Sequence, residues 1–304
     1  MAIYLSLLLS GLLFALQFDV DKYYQTNKPL GIRYPIAYAL FGKISSTVIL
    51  FAVALISGKA FSFNGYTFLA GAAIAILNLA VTIFGMKVLS FGSVVSYTVA
   101  IMIGGMAVPA VFGAAGLGEP FGVSRIAAFI MIAAAVILSV GENGKKLSAK
   151  EILFYAVVFI SNGLIGVFTS LHVSAWAKDV PVTVFSFISS AEAAVIYVPV
   201  LFIAIICEKR KRQDEQTEKP VKDKNLLRSL SSAASGALNG VANLLIVVGA
   251  AADGIGSVVT YPLSTGGTVF FSLITSAIFY KEKITVKKAI SAALIVTALI
   301  VYVL

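Results

Sequence analysis

Ten long apolar runs separated by short polar segments constrain this 304-residue chain more than any other feature. They occupy 2–18, 34–57, 66–86, 92–115, 122–140, 151–172, 181–207, 227–250, 255–279 and 286–304. A hydrocarbon layer about 30 Å thick is crossed by about 20 residues of α-helix, close to the length of these runs. Lipid offers no partner to an unpaired backbone N–H or C=O, so a spanning segment is either a helix or a strand of a closed barrel. Barrel strands alternate in hydropathy over about 10 residues, and these runs do not alternate. The expectation is an all-α integral membrane protein with ten transmembrane helices. Composition agrees, because only 12% of the residues are charged, about half the share in soluble domains.

The runs fall into two sets. GSVVSY at 92–97 recurs as GSVVTY at 256–261, an offset of 164 (256 − 92). Gly11 and Leu12 reappear as Gly163 and Leu164, and Pro29 as Pro181, all at an offset of 152 (163 − 11). AAIAILN at 72–78 matches AASGALN at 233–239 at 161 (233 − 72), and Glu119 matches Glu282 at 163 (282 − 119). The offset grows across a basic loop at 208–226, which reads as an insertion. Matches in unchanged order describe a duplicated unit. Residues 1–144 form a first five-helix repeat and 149–304 a second that carries the basic loop. Five is odd, so the second copy enters the membrane from the opposite side. That is the inverted-repeat plan of many secondary transporters, whose sites lie near mid-membrane between the repeats.

Charge sets the orientation. The net charge is +9, but eight of the 23 Lys and Arg lie within 209–228, which reads as a solvated loop and not as a nucleic-acid surface. With ten spans, the odd-numbered loops hold 19 of the Lys and Arg, the even-numbered loops three, and Lys43 lies inside a span. Cytoplasmic loops accumulate positive charge, which places both termini outside a bacterial inner (plasma) membrane. The first run follows Met1 with no basic leader and no small-residue cleavage signal, so it is expected to remain as a helix. Cys207 is the single cysteine and His172 the single histidine. No nucleophile with a base, metal cluster or phosphate-binding loop appears, so neither enzyme activity, a cofactor nor a metal is expected.

Each half closes on a glutamate-containing turn and an apolar run, GLGEPFGVSRIAAFIMIAAAVIL at 116–138 and FYKEKITVKKAISAALIVTALIVYVL at 279–304. With Gly- and Ser-bearing fourth and ninth runs ahead of them, these segments resemble the drug/metabolite transporter superfamily in its EamA-type ten-helix members. The resemblance covers essentially the whole chain, although the fifth and tenth runs carry alanine or isoleucine where that family often places glycine. It implies a central cavity lined by both repeats and opened alternately to either side. Members of that family move amino acids, sugars, nucleotide-linked metabolites, amines or drugs, so the resemblance names no single substrate. A cavity holding Lys43, Glu192 and two tyrosines suits a small polar organic metabolite: an amino acid, a sugar derivative or an amine. The expected partners are that solute and the bilayer, with no nucleic acid.

Charges inside the hydrocarbon layer are costly and normally face a cavity or a partner. Lys43, in ALFGKISST, and Glu192, in SSAEAAV, are two such residues. The offset of 152 carries Lys43 to 195, one helical turn from Glu192. Either the two pair across the cavity, or Lys43 takes an anionic group while Glu192 binds and releases a coupling proton. The bland alternative is that each snorkels or caps a packed helix. The ninth run, SVVTYPLSTGGTVFF, puts Thr260, Ser264 and Thr268 on one face and Tyr261 and Thr265 on the next. Pro262 and Gly266–Gly267 predict a broken helix whose freed backbone coordinates ligand. Tyr97, the repeat mate of Tyr261, is expected to flank that ligand from the other half. The candidate set is Lys43, Tyr97, Glu192, Asn243, Tyr261, Ser264, Thr265 and Thr268, with Glu192 the proton-coupling candidate. Asn78 and Asn239 read as helix–helix hydrogen bonders, with Asn162 and Gln17 as further polar candidates. The competing readings are a channel or an exchanger without ion coupling, and a sensor that transports nothing. A channel usually needs a continuous polar pore, often built by oligomerisation.

Overall fold

Every apolar run becomes a helix. The computed structural model describes residues 2–27, 31–118, 122–140, 148–173, 179–214, 225–252, 255–281 and 285–303. Among these are α1 (Ala2–Asn27), α2 (Arg33–Ile56), α3 (Gly65–Phe91), α4 (Val94–Gly116) and α5 (Val123–Val140). They continue with α6 (Ala149–Leu171), α7 (Val182–Asp214), α8 (Asn225–Ala250), α9 (Gly256–Tyr280) and α10 (Val286–Val303). Eight of them, all but α5 and α10, are long and apolar enough to cross a membrane. That is the make-up of a multi-pass all-α membrane protein. Glu119 and Glu282 lie outside the described residues, as does the middle of the basic loop, 215–224.

Local chemistry sets the helix starts. Asn64 opens α3 by accepting a hydrogen bond from the Thr67 N–H, and Ser148 opens α6 with Glu151 answering it, both as capping boxes. Ser93 caps α4 by accepting from the Ser96 N–H at 3.0 Å. In the second copy of that hexapeptide the serine does something else. Ser257 lies inside α9 and donates to the Ser170 hydroxyl at 2.8 Å.

Two sequence expectations about the helices need correction. The first apolar run ends at 18, but α1 continues to Asn27, since no Gly or Pro interrupts residues 12–27. This extension buries Asp19 and Asp21. The second concerns α9, which is continuous through Pro262 and Gly266–Gly267 instead of broken there. Its glycine pair serves close packing. A Cβ on Gly11 of α1 would stand 2.8 Å from the Thr268 backbone nitrogen and 2.9 Å from the Gly267 carbonyl carbon. α4 is likewise unbroken at Pro109, whose ring packs against Gly166 of α6.

α1 packs on α8 and α9, α2 on α7 and α8, α3 on α6 and α7, α4 on α6 and α9, and α5 on α10. One crossing matters for the site. α2 and α8 meet at Gly42 and Gly236, where a Cβ on Gly236 would overlap the Gly42 carbonyl. This contact of two backbones brings Lys43, the residue after Gly42, within reach of Asn239, three residues beyond Gly236.

Candidate functional site

A cavity of about 120 Å³ opens between α1, α2, α3, α4, α6, α8 and α9. On the scale of about 10–15 Å³ per water-sized centre it holds on the order of ten waters, or one small solute. A side chamber of about 60 Å³ adjoins it against α7 and shares Lys43, Asn78, Asn239 and Asn243 with it.

The strongest polar feature inside is a carboxylate. Asp21 is 5% exposed and lines the main cavity. Its Oδ1 accepts hydrogen bonds from the Tyr38 hydroxyl and the Ser235 hydroxyl, each at 2.6 Å. Its Oδ2 accepts from Gln17 Nε2 at 3.1 Å, across one turn of α1. Gln17 Oε1 in turn accepts from Asn239 Nδ2 at 3.0 Å, and Asn239 Oδ1 accepts from Lys43 Nζ at 3.4 Å. A cation on α2 is thus joined to a carboxylate on α1 through two amides, every link donating toward the carboxylate.

Six of the eight candidate residues line this cavity: Lys43, Tyr97, Asn243, Tyr261, Ser264 and Thr265. Tyr97 is 3% exposed and meets the Phe18 ring edge-on at 5.1 Å. The Tyr261 hydroxyl donates to the Gly166 carbonyl at 3.0 Å, and Ser264 shares a hydrogen bond with Ser10 at 2.7 Å. Thr265 donates to the Met102 carbonyl at 3.4 Å and Asn243 Nδ2 to the Asn239 carbonyl at 2.9 Å. Thr268 is not part of the lining. It donates back to the Ser264 carbonyl at 2.8 Å, on the side of α9 that receives Gly11.

Glu192 is the other departure. It lines neither chamber. Its carboxylate lies against Gly71 of α3, with Oε2 buried and without a hydrogen-bond partner among the described residues. It does not pair with Lys43. The salt bridge among the described residues joins Arg33 Nε to Glu208 Oε2 at 3.3 Å, where α2 meets α7. His172, the single histidine, is 1% exposed and stacks on Phe185 at 3.7 Å.

Asp21, Tyr38 and Ser235 escaped the sequence reading, Asn239 carries more of the site than the helix-packing role expected of it, and the polar candidate Gln17 links it to Asp21. The Gln17–Asp21 spacing of four within an uninterrupted helical stretch was the available signal. No group of three or more His, Cys, Asp or Glu able to hold a metal occurs among the described residues.

No family model matches the chain, and no curated protein matches it. Solved structures do. One crystal structure, described only as that of a protein, superposes over 100% of this chain and 99% of its own with a TM-score of 0.73 and 16% identity. At that identity the likeness establishes the fold and says nothing of what the cavity takes.

Proposed function

We propose that this chain is a secondary transporter that moves a small polar organic metabolite across the bacterial plasma membrane by alternating access, in the manner of the EamA-type drug/metabolite transporters. The observation that carries the reading is the charged cavity, with Asp21 and Lys43 enclosed by helices from both halves of an apolar bundle. Intramembrane ionisable groups of this kind mark solute and ion pathways. A scaffold or sensor has no use for their desolvation cost.

Ten transmembrane helices in two inverted five-helix repeats belong to the same proposal, and the packing supports it. Exchanging α1–α5 for α6–α10 maps α1·α9 onto α6·α4, α1·α8 onto α6·α3 and α2·α8 onto α7·α3. The pairs α2·α7, α4·α9 and α5·α10 map onto themselves. The glycine crossings follow suit. Gly11 on Gly267 corresponds to Gly163 on Gly104, where a Cβ on Gly163 would stand 2.9 Å from the Gly104 carbonyl oxygen. Inverted repeats rocking about a shared site are the usual basis of alternating access. Proton coupling through Glu192 draws no support from its position outside the lining, and Asp21 is the carboxylate better placed for it.

Proteoliposomes loaded with a pH-sensitive dye and screened against amino acids, sugar derivatives and amines test the reading. The expected result is saturable flux of one solute class, accelerated by solute on the opposite side. Flux that neither saturates nor responds to counter-solute would make the protein a channel and overturn the carrier. Orientation has a separate test in Cys207, which is exposed near the end of α7 beside the basic loop. A membrane-impermeant maleimide should leave it unmodified in intact cells and label it after permeabilisation. Rapid labelling of intact cells would reverse the assignment of that loop to the cytoplasm.

A further inference from the structure

Lys43 stands where the two chambers join. On one side is the cavity that holds Asp21. On the other is the smaller chamber, faced by Ser186, Ser189 and Ser190 of α7. Ser190 is satisfied by a hydrogen bond with Ser46 at 3.1 Å. The hydroxyls of Ser186 and Ser189 are buried and have no hydrogen-bond partner among the described residues. Buried hydroxyls are normally paired, so two unpaired ones facing a single chamber ask for a purpose. Lys43 is under-committed too. An ammonium carries three donors, and its hydrogen bond to Asn239 is long at 3.4 Å.

A cation and two idle O–H donors around a chamber of about 60 Å³ suit a small anionic acceptor. Among the described residues Lys43 is the one cation lining either chamber, so a single negative charge is balanced where a doubly charged phosphate would not be. A carboxylate offers about four lone-pair sites on two oxygens and takes several donors at once. At the far end of the amide chain, Asp21 uses three such sites, for Tyr38, Ser235 and Gln17. An arriving ammonium needs only to take the fourth site or to displace the Gln17 amide.

We infer that the cavity selects a zwitterion. Its carboxylate sits in the α7 chamber on Lys43, Ser186 and Ser189, and its ammonium sits on Asp21 in the main chamber. Two amides separate Lys43 from Asp21, so the solute's charges lie several carbons further apart than in an α-amino acid. This inference rests on the transporter reading for its purpose, but its test is binding, which does not.

The full-length protein, purified in nanodiscs, is titrated with glycine, 4-aminobutyrate, 6-aminohexanoate, butyrate and butylamine. The two longer zwitterions should bind at least tenfold more tightly than glycine or either singly charged probe. The Ser186→Ala/Ser189→Ala double variant should weaken the longer zwitterions and butyrate about tenfold, the loss of hydrogen bonds to a charged group, and leave butylamine unchanged. Asp21→Asn should do the reverse, weakening the zwitterions and butylamine and sparing butyrate. A wild type that binds none of the probes, or binds butyrate as well as the zwitterions, overturns the inference. So does a double variant that weakens butylamine as much as butyrate. Zwitterion binding with no flux in vesicles would sink the transporter reading and leave this site standing. Flux of a solute whose affinity the double variant does not change would do the opposite.

Discussion

Asp21→Asn should lower solute flux about a hundredfold or more in proteoliposomes and destabilise the protein by about 1–3 kcal/mol, without preventing folding. The argument turns on the polarity of a hydrogen-bond chain. Tyr38 and Ser235 both donate to Oδ1 of Asp21, and Gln17 donates to Oδ2. An asparagine can keep its oxygen toward the two hydroxyls, but its NH2 then meets the NH2 of Gln17. Turning the Gln17 amide over relieves that clash and creates the next, because Gln17 Oε1 now receives from Asn239. Turning Asn239 as well presents its NH2 to the Lys43 ammonium in place of the oxygen that accepts from it now. Each of these arrangements leaves one donor facing another, and the remaining one, with the NH2 turned to the two hydroxyl oxygens, takes away the acceptor to which Tyr38 and Ser235 donate. Truncating one partner of a buried, hydrogen-bonded charge costs about 2–5 kcal/mol, and a hundredfold is about 2.7 kcal/mol. Wild-type flux in Asp21→Asn would remove this carboxylate from the mechanism.

How far the sequence foretold this site depends on what each residue's signal was. The helices were legible because a membrane allows few alternatives: ten apolar runs become α1–α10, with ends displaced where charge enters the helix. Asp21 was hidden for that same reason. Hydropathy closes a run at the first acid, whereas α1 continues because its backbone bonds, the Gln17–Asp21 contact and the hydroxyls of Tyr38 and Ser235 make the acid tolerable inside. Those partners come from α2 and α8, and no spacing within α1 reveals them. Tyr97 and Tyr261 were legible because the repeat pointed at both. Glu192 and Thr268 were misplaced because a helical face says which residues travel together, not which neighbour that face meets. The glycines of α9 read as a break because nothing in the ninth run alone shows that Gly11 of α1 closes on them.

Lys43→Met should cut flux at least tenfold while leaving the thermal midpoint unchanged or slightly raised, and that dissociation of function from stability is its diagnostic. Lys43 is partly buried, has no salt bridge among the described residues, and donates to Asn239 at 3.4 Å. A bond that long contributes little, whereas holding an ammonium away from water costs several kcal/mol. Methionine is an unbranched, adaptable side chain that fills irregular gaps. Replacing a buried charge with an apolar group of similar volume is often neutral or stabilising. A lysine kept for structure would behave differently, losing stability in step with flux. The two variants also share one hydrogen-bond chain, so their effects should not add. In Asp21→Asn/Lys43→Met the reoriented Asn239 amide no longer confronts a cation. The double variant should therefore recover part of the stability lost in Asp21→Asn while transporting no better than either single variant. Additive stability losses would mean that the two amides do not couple the charges. Wild-type flux in Lys43→Met would mean that the cation does not meet the solute.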